Sequence, residues 1–124
     1  MSVVNFQDLP VGEREAEWDG DRANKRVREW ADAEDEPNEK YRRAFVWYDA
    51  DEQDLFKSYK LQIADVVNGE LTVMPRGVIT AGNVMQGSRG GVDLPKKDIQ
   101  GVRNHLAKYY KKMGDEPPWE KEQD

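Results

Sequence analysis

At 124 residues, with no cysteine, 37% apolar and 35% charged residues, the chain has the size of one domain and excludes disulfides, thiolate chemistry and cysteine-based metal sites. Its net charge of −6 is uneven: residues 1–40 hold 12 acids and 6 bases, residues 41–114 hold 8 acids and 12 bases, and residues 115–124 hold 5 acids and 1 base. Acidic ends around a basic centre disfavour unspecific binding to nucleic acid, and apolar runs no longer than Ala44–Tyr48 leave no candidate for a membrane-spanning helix.

Residues 1–17 carry little periodicity and are punctuated by Pro10 and Gly12, which predicts a flexible N-terminal arm. They have no basic stretch followed by a long apolar one, so no signal peptide is expected and the product should stay where it is made. A single α+β domain is predicted over 18–114. It opens with a helix over 21–32, capped by Asp19 or Asp21, with Ala23, Val27, Trp30 and Ala31 on one face. The acidic run Asp32–Glu36, closed by Pro37, reads as a solvated loop. Residues 43–48 are rich in aromatic and β-branched side chains and predict a strand. An acidic turn, Asp49–Asp54, leads to a hairpin over 58–74 whose Asn68-Gly69 pair suits a type I′ turn. In its first strand Tyr59, Leu61 and Ile63 alternate with polar residues, predicting one shared apolar face. Pro75 introduces a helix over 76–86, weakened by Gly77 and Gly82 at about 1 kcal/mol each relative to alanine. A glycine-rich connection, Gly87–Gly91, precedes the last helix over 95–113. There Ile99, Val102, Leu106, Tyr109, Tyr110 and Met113 form a stripe, and Lys108, Lys111 and Lys112 suit the helix C-terminus. Residues 115–124 complete the chain as an acidic tail. The predicted fold is therefore a small antiparallel sheet, made of the hairpin and strand 43–48, packed against about three helices.

Several constellations invite a chemical reading, and most have plainer ones. Gly87-Ser88-Arg89-Gly90-Gly91 matches neither dinucleotide nor P-loop spacing and reads as a flexible connection, with Arg89 as the contact if it binds anything. Ser88, Asp93 and His105 contain the residue types of a hydrolase triad, but nothing signals an oriented base or an oxyanion hole. Asp49–Asp54 begins like a calcium loop, yet the positions that need glycine and glutamate are Asp54 and Lys60. No catalytic residue, cofactor or metal ligand is assigned. The basic residues Lys96, Lys97, Arg103, Lys108, Lys111 and Lys112 beside Tyr109 and Tyr110 raise DNA binding, against an overall acidic chain whose own acidic ends could satisfy them. Of four tryptophans, Trp30 and Trp47 hold core-like positions, whereas Trp18 and Trp119 flank the domain and either close it or bind a partner.

The wording of several segments is distinctive: Tyr41–Ala50, Ser58–Leu71, Val73–Val78, Gln86–Pro95, His105–Met113, Glu116–Trp119 and, upstream, Trp18–Gly20. Together they resemble an uncharacterised domain of tailed-bacteriophage and prophage head-gene clusters, often near or fused to capsid maturation protease sequences. The likeness spans about residues 17–120. It departs where Thr80, Gly82 and Asn83 interrupt an alanine-rich run, and in the long acidic ends. The resemblance implies a head-associated protein, such as a capsid decoration or assembly protein, found in the virion head or the host cytoplasm. Its expected partner is the phage capsid or another head protein, with homo-oligomers as a further arrangement. Candidate contacts are Arg89, Gly90, Gly91, Asp93, Trp18 and Trp119. The alternatives are a small hydrolase using Ser88 and His105, and a DNA-binding module acting through the last helix.

Overall fold

Asp19 begins the first helix by satisfying one of its free amides. In the computed structural model, which describes residues 3–121, the Asp19 carboxylate accepts from the Arg22 amide at 3.2 Å and helix α1 (Gly20–Trp30) follows. Ala23 and Val27 are fully buried, while Trp30 is half-buried at the helix end. Asp32, Glu34, Asp35 and Glu36 are exposed, as a solvated loop requires. A short helix that periodicity does not announce, α2 (Glu39–Arg42), forms next because Asn38 caps it. The Asn38 side chain accepts from the Tyr41 amide and donates to the Ala31 carbonyl, both at 2.8 Å. Tyr41 then meets Phe45, Phe56 and Tyr59 at ring-centroid distances of 4.8 to 5.3 Å, an aromatic cluster that seals this end of the core.

The strands do not form one sheet. Strand β1 (Phe45–Tyr48) pairs antiparallel with β2 (Tyr59–Gln62), and β3 (Ala64–Val67) pairs antiparallel with β4 (Glu70–Val73). The run 58–67, expected as a single strand, breaks because Leu61 adopts φ 63° and Ile63 turns between the two ladders. The Ile63 amide donates to the Ala44 carbonyl and its carbonyl accepts from the Met74 amide, both at 2.9 Å, so one residue joins the two sheets. The β3–β4 hairpin is as predicted, with Asn68 at φ 53° and Gly69 at φ 79° as its turn requires. Helix α1 lies against β3, where Arg26 grips the buried Asp65 carboxylate through two bonds of 2.8 and 2.7 Å.

Helices α3 (Pro75–Met85) and α4 (Lys96–Lys112) complete the α+β fold, with a further short helix α5 (Pro118–Lys121). The glycines that weaken α3 in isolation let it pack closely in place. A Cβ on Gly77 would lie 3.1 Å from the Ile63 carbonyl oxygen and 3.2 Å from the Trp18 ring, and one on Gly82 would collide with the Tyr110 hydroxyl. On α4 the predicted stripe is buried through Val102, Leu106, Tyr109 and Tyr110, with Ile99 and Met113 half-buried. Asp98, in its first turn, accepts from the Trp47 indole at 3.0 Å and so ties α4 to β1.

The chain around 18–114 needs correction at both ends. The N-terminal segment is extended, but it is part of the packed domain: Val4 and Leu9 are buried, and the Val4 amide donates to the Val46 carbonyl at 2.8 Å along the outer edge of β1. Further on, the Val73 amide donates to the Pro10 carbonyl and the Gly12 amide to the Val73 carbonyl, each at 2.8 Å, which covers the edge of β4. The outer edge of β1 is thus taken. Weak periodicity misleads here because a segment that bridges two sheet edges and a helix alternates with neither period. At the other end Pro117 is buried and Trp119 packs edge-to-face on Tyr110, with centroids 6.0 Å apart. Residues 122–124 of the expected tail lie outside the described residues.

Candidate functional site

A groove of about 400 Å³ lies between β2, α3 and the segment that follows the glycine-rich connection. Trp18 forms one wall, with its ring held over the bare backbone of Gly77. Leu61 from β2, Ala81 and Val84 from α3, and Val92 make up most of the apolar lining, and Lys60, Thr80 and Asp93 give it a polar rim. Gln62 also lines it, but its amide is occupied: it accepts from Asn24 and donates to the Ala64 carbonyl, both at 3.0 Å. Strand β2 pairs with β1 on one side, and among the described residues no strand pairs on its other side. The left-handed backbone of Leu61 is strained for a branched side chain. It turns a residue that alternation places on the buried face into one that is half-buried and lines the groove. Strain of this kind collects where structure serves binding.

Of the predicted contacts, the fold brings Trp18, Gly91 and Asp93 together at this groove. Gly90 is exposed on the 3₁₀ turn Ser88–Gly90, which Gly87, Gly90 and Gly91 frame with positive φ. Arg89 belongs to that turn, and its side chain lies outside the described part of the structure. Trp119 is elsewhere, against Tyr110 and with the Arg103 guanidinium 5.7 Å from its ring, where it closes the domain. Sequence reasoning missed Leu61, Val84 and Val92. Leu61 had a signal in its alternation, but of the wrong sense; the other two are ordinary apolar residues until the fold places them.

The other constellations resolve into structure. His105 is buried, with Nδ1 2.8 Å from the Val4 carbonyl and its ring between Phe6 and Tyr109 at 5.6 and 5.9 Å. Burial lowers its pKa below the ordinary 6.5, against the opposing pull of the Val4 carbonyl, and Lys108 adds to the lowering. A neutral imidazole donating to Val4 pins the N-terminal segment, and neither Ser88 nor Asp93 is among its partners. The Tyr109 hydroxyl donates to the Gln7 carbonyl, and Lys112 reaches Asp8 at 2.5 Å and the Leu9 carbonyl at 2.8 Å. The Lys108 ammonium sits 4.7 Å from the Phe6 ring. Part of the basic face of α4 is thus spent on the protein's own ends, and Tyr109 and Tyr110, at 1% and 3% exposure, offer no ring for a base to stack on. Burial, aided by Asp115, pushes the Tyr110 hydroxyl up to about 12, so it stays protonated beside Gly82. In the acidic turn Asp49 accepts from the Asp51 amide at 3.0 Å as a local cap, and among the described residues no three acids or histidines gather as metal ligands.

No protein-family model matches the chain, and neither a curated protein nor a solved structure matches it.

Proposed function

We propose that this protein works by binding other proteins, as a head-associated component of a tailed bacteriophage, either a decoration protein on the shell or an assembly factor. The observation that carries the binding reading is the apolar groove beside the β2 edge on which no described strand pairs, where Trp18, Leu61 and Val92 meet. A strand edge next to apolar pockets is the arrangement that receives an extended segment of a partner, with main-chain bonds supplying affinity and pockets supplying specificity. The phage setting rests on the resemblance of residues 17–120 described above.

Co-sedimentation of the purified protein with cognate capsids, and with capsid subunits, tests both parts. Stoichiometric binding that survives high salt is expected, because apolar anchors are little screened. Val92→Asp should abolish it by placing a charge at a half-buried position of the groove, with an unchanged melting temperature as the check that the fold survives. Failure to bind either capsids or subunits would overturn the head assignment, and undiminished binding by Val92→Asp would overturn the groove.

A further inference from the structure

A second and larger concavity lies elsewhere. A cleft of about 670 Å³ lies between the N-terminal segment and α2, walled by Val3 and Val4 on one side and by Lys40, Arg42 and Arg43 on the other. In a chain of net charge −6 this is a local concentration of positive charge, with Glu39 as the one carboxylate among the described lining residues. Among the described residues no carboxylate lies within ion-pair distance of any of the three cations. All three are nevertheless held in place, and by neutral groups. The Arg42 guanidinium lies 4.2 Å from the Tyr48 ring centroid and donates to the Gln53 side-chain carbonyl at 3.1 Å. Arg43 donates through Nε to the Gln7 side-chain carbonyl at 2.7 Å, and the Lys40 ammonium sits 4.3 Å from the Trp30 ring centroid. A guanidinium resting on an aromatic face keeps N–H groups along its edge for a carboxylate, and its ordering cost is already met.

We propose that this cleft binds an acidic polypeptide segment of a partner, independently of the Trp18 groove. Two features select a peptide over other anions. The consecutive arginines are anchored in different places, Arg42 at Tyr48 and Gln53 and Arg43 at Gln7 and 6.0 Å from the Trp30 ring centroid, so the two guanidinium groups are held by separate partners. Spread charges along an aliphatic wall of Val3 and Val4 match successive carboxylates on an extended chain. In the cleft the face of the Tyr48 ring that a nucleic-acid base would use is already taken by Arg42.

A fluorescently labelled glutamate octapeptide, titrated with the full chain and followed by anisotropy, tests the assignment. Binding at low salt that weakens steeply as salt is added is expected, as is a loss of at least about tenfold on combining Lys40→Glu with Arg43→Glu. Both positions are exposed, so an unchanged melting temperature should accompany the loss, and Lys40→Ala with Arg43→Gln gives a milder pair should the reversal perturb folding. Val92→Asp should bind the peptide normally, which separates this site from the groove. No binding by the wild type at low salt, or undiminished binding by both double variants, would overturn the cleft. Complete competition by inorganic phosphate, or tighter binding of an oligothymidylate, would overturn the peptide class.

Discussion

The outer edges of β1 and β4 and the outer edge of β2 are treated in opposite ways. Along β1 and β4 the N-terminal segment supplies the missing backbone partners, buries Val4 and Leu9, and is fastened to α4 by His105, Tyr109 and Lys112. Along β2 no strand is added among the described residues, a leucine is held in a left-handed conformation, and an apolar groove is left against α3. An uncovered edge invites association, and here the N-terminal segment covers the outer edges of β1 and β4 while that of β2 is left beside an apolar groove. The difference separates surface that serves stability from the surface we propose for binding.

Three changes would break or sharpen that division. Leu9→Ala should cost the most, about 3 kcal/mol, because it empties a buried site under the N-terminal segment. Urea unfolding measures it, and a loss below about 1 kcal/mol would mean that the segment is not integral to the domain. The next effect is pH-dependent. The folded pKa of His105 lies below its unfolded value of 6.5, so the unfolded chain takes up a proton first as pH falls. The stability that His105 contributes is complete above 6.5 and is lost as pH falls from there through the lower folded pKa. Unfolding free energies measured across this range should fall with acidification, and His105→Gln should flatten the slope. A variant with the wild-type slope would assign it to the carboxylates. The smallest effect is expected at the groove. Leu61→Gly relieves left-handed strain of about 1–2 kcal/mol and loses apolar contact of similar size, so its urea midpoint should barely move. Capsid binding should nevertheless be lost, and retained binding would remove Leu61 from the site.

Much of the fold was legible because it is local. The Asn68-Gly69 hairpin, the Asp19 cap, and the stripe from Val102 to Tyr110 each depend on residues within a few positions of one another. The division of residues 58–67 into two strands was not legible, since Ile63 joins the sheets through Ala44 and Met74, partners distant in sequence. At the groove, Trp18, Gly91 and Asp93 were singled out as a flanking aromatic and members of a glycine-rich segment, without any sign that they would meet. The cleft was less visible still. Lys40, Arg42 and Arg43 follow an acidic run, and nothing in their order says that Tyr48, Gln53, Gln7 and Trp30 will hold them without a counter-charge.

By itself the sequence determined the element types, the hairpin turn and the absence of thiol chemistry, because backbone conformation and residue chemistry are decided over short spans. Which edges are covered, which glycines are there for close packing, and which cations are held by neutral groups were decided by the tertiary structure alone. The covered edges and the close-packed glycines depend on contacts between segments as far apart as Val4 and His105, or Gly82 and Tyr110, and no local pattern encodes such a meeting.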